Sequence, residues 1–427
     1  MLVVLKLLRF PRTRCLGIVR RWGYASAATE RRQGERGVAL LVVIMAIALI
    51  TVVVSEFAYN SSVELAAATN FRDELRAQYL LRSSANLARL LFKVQERVVE
   101  PHRRMLGDLQ VPHYAPYLIG AFAQKEEAEA LGSLLGVDTT GAKGLGIDAG
   151  RVDAEIAAED GKLNVNCAGG VASEANKTRL AAALMALMSP PQFNPLFEQP
   201  DDEGEHHDRE EIVQALIDWA DSDETRFGAS SAPEDYGYES SPDPYRSKNS
   251  YYDTPGELGL VRGIDEDFLR IFGEALTVWG KCEVNVNEAP PLVLWLLILQ
   301  HAQNPEEFQN PQRVIEALQL AVYLYELKAL FGTGFADVAQ VIKAIEDPES
   351  LALPEIPGLA LPVAPQGIAI KDRDFKKSAN AGKRRIWRIK ASAEIGRVRR
   401  QLYAVWDMVL PSQSSQSTGT WVFWREQ

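Results

Sequence analysis

The chain has 427 residues and a formal net charge of −11, an acidity that argues against nucleic acid as a partner because such binding needs a basic footprint. The charge is uneven. Nine Lys/Arg and two acids put +7 on residues 1–37, so the rest of the chain carries −18. That remainder, about 390 residues, has room for two or three domains with cores of their own.

Residues 1–37 form a basic leader that includes Arg12, Arg14, Arg20, Arg21, Arg31, Arg32 and Arg36. Its Arg-rich, acid-poor composition fits a mitochondrial presequence, or a start codon assigned too far upstream. We read it as removed and outside the fold. It ends at Glu35-Arg36-Gly37, and the uncharged run from Val38 to Ser55 follows, long enough to cross a hydrocarbon core as a helix. The positive-inside rule places the leader in the cytoplasm and everything beyond Ser55 on the far side.

Three readings of the junction stand. It is a signal anchor, a cleaved secretory signal, or a prepilin-type signal cut between Gly37 and Val38. The secretory reading fits worst, because the run is too long and Ser55-Glu56-Phe57-Ala58 is a poor cleavage site. The prepilin reading gains from three features. The switch falls at a Gly, no Gly or Pro occurs from Val38 to Glu100, and the apolar run passes without a break into an amphipathic pattern. Residues 38–100 therefore predict one helix on the order of 90 Å, membrane-spanning to about residue 56. Beyond the membrane run, Phe71, Leu75 and Tyr79, then Leu87, Leu90, Leu91 and Val94, suggest the face that packs on a globular domain.

Residues 101–149 read as irregular, with Pro101, Pro112, Pro116 and a Gly-rich stretch. Arg151–Ala158 and Leu163–Cys167 alternate around Glu159-Asp160-Gly161-Lys162, which predicts a hairpin. GKLNVNCA at 161–168 has a weak echo in GKCEVNVNEAP at 280–290. Between them, helices are predicted at 177–188, 210–220 and, as two short pieces around Gly263, at 258–272. Further helices follow at 290–301, 314–330 and 335–345, then strands at 386–394, 397–408 and 420–425, with a flexible turn at Pro411–Thr418. The expected organisation is a sheet domain from 101–171 and 366–427 with a strand at 275–287. A helical domain, 172–274, is inserted in it, and 288–365 is a second helical segment.

Chemistry is sparse. The five His lack metal spacing with Cys, and His206-His207 read as part of a solvated acidic loop. No Ser-His-Asp context, phosphate loop or paired catalytic carboxylates stand out, so no enzyme is expected. LGLVRGIDEDFLRIFGEA at 258–275 faintly resembles a DNA-binding helix-hairpin-helix, which the acidic surroundings argue against. Cys15 lies in the leader, while Cys167 and Cys282 are both expected outside the cytoplasm, either as an oxidised pair or as two buried thiols. The strong cluster is DWADSDETRFGASSAPEDYGY at 218–238, with Asp218, Asp221, Asp223, Glu224, Glu234 and Asp235. Such carboxylates repel each other unless they are solvated or bridged by a cation. Calcium, which takes six to eight oxygens in loose geometry, is the ion that suits them. The spacing matches half of an EF-hand loop, with its Gly and distal Glu misplaced.

An ordered set of motifs carries a resemblance. ERGVALLVV (35–43), LNVN (163–166), LIDWADSD (216–223), EDYGY (234–238), GELGLVRGI (256–264), VNVNEAP (284–290) and WVFWRE (421–426) together resemble the K-type minor pseudopilins of the type II secretion system. That resemblance implies an α+β pseudopilin fold, a long N-terminal helix plus an antiparallel sheet with a large inserted α-helical domain. It implies structural calcium on Asp221, Asp223, Glu234 and Asp235, with Asp218 as a further candidate. GASSAPED replaces the family's usual Gly-Ala-Glu-Asp, which leaves ligand register and ion number open.

The resemblance also implies cleavage after Gly37 and methylation of Val38 by prepilin peptidase. The chain would be a single-pass protein of a Gram-negative inner membrane with its C-terminal domain in the periplasm. Its implied partners are the I- and J-type minor pseudopilins, the major pseudopilin and secreted exoproteins. Most pseudopilins carry Glu at the fifth mature position, where this chain has Val42. A buried Glu needs a charge partner from the neighbouring subunit, so a subunit without one fits the fibre tip. The alternatives are a membrane-anchored periplasmic binding or sensor protein and a minor type IV pilin.

Overall fold

A computed structural model describes residues 35–102, 111–123, 129, 150–170, 172–199, 206–228, 232–235, 237–238, 244–331, 334–351, 363–382, 385–408 and 419–427. Leader residues 1–34, the Gly-rich stretch at 132–146 and the turn at 411–418 lie outside them. Helix α1, Glu35–Val94, runs for 60 residues. It meets no Pro until Pro101, where a π-helical turn, Gln95–Val99, and a 3-10 turn, Glu100–His102, end it. The chain divides into two compact units, Met1–Ala68 and Thr69–Gln427. In the first, the apolar side chains from Val38 to Val54 are exposed, and the helix is long and apolar enough to cross a membrane.

The second unit holds the remaining elements. In chain order they are α2 (Ala115–Ala123), β1 (Gly150–Ala158), β2 (Leu163–Asn164), α3 (Glu174–Met188), α4 (Asn194–Glu198), α5 (Arg209–Asp218), α6 (Glu266–Phe272), β3 (Leu276–Thr277) and β4 (Val284–Asn285). There follow α7 (Pro291–His301), α8 (Pro311–Phe331), α9 (Val338–Glu346), α10 (Asp372–Ser378), β5 (Ala379–Asn380), β6 (Ile386–Ile395), β7 (Val398–Asp407) and β8 (Thr420–Glu426). Strands β1, β6, β7 and β8 form one antiparallel sheet in that order. The fold is α+β: a long N-terminal helix and an antiparallel sheet, with a large helical insertion between β1 and β6. Helix α2 replaces part of the irregular stretch expected at 101–149.

The sheet packs its alternate residues Val152, Ile156, Trp387, Ile389, Ala391, Leu402 and Ala404 on α1. The face of α1 that meets them is the expected one only in part, for Leu87 and Leu91 pack on this core. Ala77, Leu80, Leu81, Ala85, Ala88 and Phe92 are buried, whereas Phe71 and Tyr79 are 63% and 66% exposed. Three alanines let the sheet approach the helix backbone closely, and Phe92 stacks on Trp387 with centroids 5.3 Å apart. Polar contacts flank this core. Gln78 and Arg82 hold Glu426 at 2.7 and 2.8 Å, and Glu74 meets Arg400 at 2.9 Å.

The expected hairpin between 151–158 and 163–167 does not form. β1 pairs with β6, and β2 pairs in parallel with β3. The Glu159–Lys162 turn instead lays its backbone on the second echo. Asn285 N–H donates to the Asp160 carbonyl at 2.8 Å, and Gly161 lies against the Glu288 backbone so closely that any Cβ would collide. The expected 275–287 strand is likewise not part of the main sheet. β3 belongs with β2, and β4 pairs in parallel with β5. The insertion thus occupies everything between Glu159 and Arg385, not 172–274.

That insertion consists of two similarly latched halves. In the first, Asn164 accepts from Asn166 N–H (2.9 Å) and donates to the Gly280 carbonyl (3.0 Å). In the second, Asn285 accepts from Asn287 N–H (3.2 Å) and donates to the Gly382 carbonyl (3.2 Å). Asn166 brackets the backbone N–H and C=O of Tyr252 at 2.7 and 2.9 Å, and Asn287 does the same for Phe335 at 2.7 and 3.0 Å. The sequence echo therefore marks a repeated latch in which one side-chain amide satisfies two buried backbone groups. Asn166→Ala or Asn287→Ala leaves both groups unpaired and is expected to cost about 2–4 kcal/mol, read as a lower urea midpoint. A midpoint within error of wild type would refute the latch.

An ionic joint ties the insertion to the sheet, with Glu159, Lys162 and Arg388 buried and Glu274 at the surface. Arg388 of β6 lies 3.3 Å from Glu159 and 3.0 Å from Glu274, while Lys162 meets the same two carboxylates at 3.1 and 3.0 Å. Thr277 donates to the second Glu159 oxygen at 2.7 Å. Burial works against the charge on Glu274, but the flanking Lys162 and Arg388 outweigh it and hold the carboxyl down at about 2.

Candidate metal centre

The acidic loop leaves the C-terminal end of α5. Asp208 caps the start of that helix, and its apolar face, Ile212, Val213, Leu216 and Ile217, enters the core of the insertion. Trp219 follows and anchors the loop. Its ring lies 6.0, 6.3 and 6.4 Å from those of Tyr238, Tyr245 and Tyr252. Gly170 N–H bonds to the Ala220 carbonyl at 3.0 Å, and Arg226 N–H to the Ala232 carbonyl at 2.9 Å, so the loop doubles back on itself. Residues 229–231, within the departure GASSAPED, lie outside the described residues.

This folding brings Asp218, Asp221 and Glu234 together. One oxygen from each lies within 4.8 Å of the others, and all three residues are buried. Asp218 accepts from Phe227 N–H at 2.7 Å. Asp221 Oδ1 and both Glu234 oxygens are buried without a hydrogen-bond partner. Burial pushes the Glu234 carboxyl up to about 8, and the charges of Asp221, Asp218 and Asp223 add to the effect. Burial also raises Asp218 to about 7 against its Phe227 hydrogen bond, and raises Asp221 against the Lys177 ammonium. Orphaned, desolvated carboxylate oxygens converging on one point are the donor set a hard divalent cation needs. The residues present fit a calcium ion, and Asp218, Asp221 and Glu234 are the ones that could hold it.

Of the expected ligands, Asp235 does not converge, and Asp223 lies at the edge of the cluster beside Glu234. Asp235 turns away to accept from Ser247 N–H at 3.0 Å, with Arg246 at 3.7 Å. Asp223 stands at the rim with both oxygens engaged, Oδ1 by Thr225 N–H and Oδ2 by Lys177, each at 3.0 Å. Asp218, the further candidate, is central. Lys177, absent from the sequence reading, contacts Asp221 at 2.8 Å and Asp223 at 3.0 Å. No spacing rule could have found it, since it comes from α3.

His206 is exposed, as a solvated loop requires, but His207 is buried against Ile212 and Gly263. Gly263, at φ +79°, is needed there, because a Cβ would collide with the imidazole. Cys167 and Cys282 form a disulfide with Cα atoms 5.5 Å apart. Gly37 lies within α1, and Val38 and Val42 are exposed on it. An open cleft of about 570 Å³ lies on the outer face of the sheet, bordered by Lys390, Arg399, Tyr403, Phe423 and Arg425.

Residues 161–281 match the family model of protein K of the type II secretion system. That stretch is similar to a protein K domain. It coincides with the first half of the insertion, from the Gly161 turn to the residue after Gly280, and contains the whole metal centre. No curated protein matches the chain. Among solved structures, the chain is similar to one in the GspK-GspI-GspJ complex of the enterotoxigenic Escherichia coli type 2 secretion system. The two share 12% identity, with 65% of this chain and 80% of that one covered, at a TM-score of 0.42.

Proposed function

We propose that this chain is the tip minor pseudopilin of a type II secretion pseudopilus, cleaved after Gly37, methylated on Val38 and anchored in the inner membrane with its folded unit in the periplasm. The observation that carries the proposal is a stretch similar to a protein K domain in a chain whose apolar helix follows Glu35-Arg36-Gly37 without interruption. The disulfide supports an oxidising compartment for the folded unit. Val42 in place of a charged residue supports the tip position, and the large insertion, which would obstruct stacking within a shaft, supports it further. The chain assembles with I- and J-type minor pseudopilins, primes the fibre of major pseudopilins and helps move folded exoproteins outward. It works by assembly rather than catalysis. Calcium bound by Asp218, Asp221 and Glu234 neutralises their charge and cross-links the loop to α5.

N-terminal sequencing and intact mass of the protein from its native membrane test this proposal. A start at Val38 carrying one methyl group is expected. A chain that still begins upstream of Gly37 in cells with active prepilin peptidase would exclude it and leave a membrane-anchored periplasmic sensor.

A further inference from the structure

The acidic loop has two places where carboxylates converge, and Asp221 faces both. On one side, Asp221 Oδ1 meets Asp218 and Glu234, whose oxygens are buried and unpartnered. On the other, Asp221 Oδ2, Asp223 Oδ2 and Glu174 Oε1 surround the Lys177 ammonium at 2.8, 3.0 and 3.5 Å. Lys177 projects from the first turns of α3, whose start is fixed by the Ser173 cap, and the residue is only 5% exposed. The ammonium is buried, Asp221 is buried beside it, and Asp223 and Glu174 complete its charge balance from the solvent side.

We propose that Lys177 is a tethered cation that fills one of the two positions, so that the loop takes a single divalent ion on Asp218, Asp221 and Glu234. This rests on the calcium reading above. Lys177 is then a positioning residue. It holds Asp221 by one oxygen, aims the other at the ion, and withdraws Asp223 from the ligand set. Its fixed charge also limits the repulsion among the carboxylates that remain.

The test is calcium titration of the full-length protein in detergent, by calorimetry and native mass spectrometry. Wild type is expected to bind one calcium, Lys177→Arg also one, and Lys177→Gln two. Asp223→Asn is expected to lower the affinity less than tenfold, and Glu234→Gln more than a hundredfold. These two variants retain Lys177 and decide the ligand set even if Lys177→Gln does not fold. Two ions on wild type, one ion of unchanged affinity on a folded Lys177→Gln, or a hundredfold loss with Asp223→Asn would each overturn the proposal. No calcium on wild type at all would remove the calcium reading itself, and the proposal with it.

Discussion

Calcium is expected to raise the melting temperature of the folded unit by about 5–10 °C at pH 8 and to have little effect near pH 5. An ion at about a hundred times its Kd contributes roughly 2.7 kcal/mol, and each kcal/mol moves a unit of this size by about 2–4 °C. The pH dependence follows from the carboxylates. Glu234 and Asp218 are raised to about 8 and about 7 in the ion-free fold, above their ordinary values. The fold therefore holds protons there that the unfolded chain has released, and ion-free stability falls as pH rises from about 4 to 8. An ion substitutes for those protons, so its benefit grows over the same window, and binding releases protons. Asp221→Ala or Glu234→Ala should abolish the calcium-dependent shift. A wild-type melting curve at pH 8 that is indifferent to calcium and chelator would sink the metal centre.

Reducing the Cys167–Cys282 bond should destabilise the insertion even more. The bond closes a loop of 115 residues, which in the chain-entropy account is worth up to about 4–5 kcal/mol. It joins the residues just after the first latch to those just before the second, so its loss frees the two halves together. Cys282→Ser, or wild type in a phosphine reductant, should lower the melting temperature by about 10 °C with calcium present throughout. Equal urea midpoints for the oxidised and reduced proteins would contradict this.

What the sequence revealed depended on how local each cause was. α1 was legible because the absence of Gly and Pro acts residue by residue, and β6 to β8 because their apolar positions alternate. The packed face of α1 was legible only in part, since Leu87 and Leu91 pack on the sheet core while Phe71 and Tyr79 do not. Leu75 and Tyr79 have the larger apolar side chains, but Ala77, Ala85 and Ala88 are what a closely approaching sheet requires. β2 and β4 are two residues long, too short for alternation to mean anything, and the amides of Asn164, Asn166, Asn285 and Asn287 decide their pairing. The echo was therefore visible, but its partners were not. In the acidic loop the number of carboxylates was plain. Their convergence depends on Trp219 docking among three tyrosines, and the choice of Asp218 over Asp235 depends on Ser247 and Phe227, which no spacing pattern contains.

The place of the insertion sets a timetable for the chain as it is made. β1 and β6 are neighbours, with Glu159 N–H bonded to the Ile386 carbonyl at 2.9 Å, yet the whole insertion separates them. A loop that long is costly to close while it is slack, so its two latched halves must condense before β6 can reach β1. The apolar face of α1 is synthesised early, and most of the strands that cover it come last, ending with Glu426 on Arg82. Until those strands are made, that face of the helix is covered only by α2 and β1, through Ala115, Ile119, Val152 and Ile156. A ribosome-released chain cut short before β6 would therefore carry a finished insertion and a helix face still open where β6 to β8 should lie, the kind of species that quality-control proteases and holding chaperones capture.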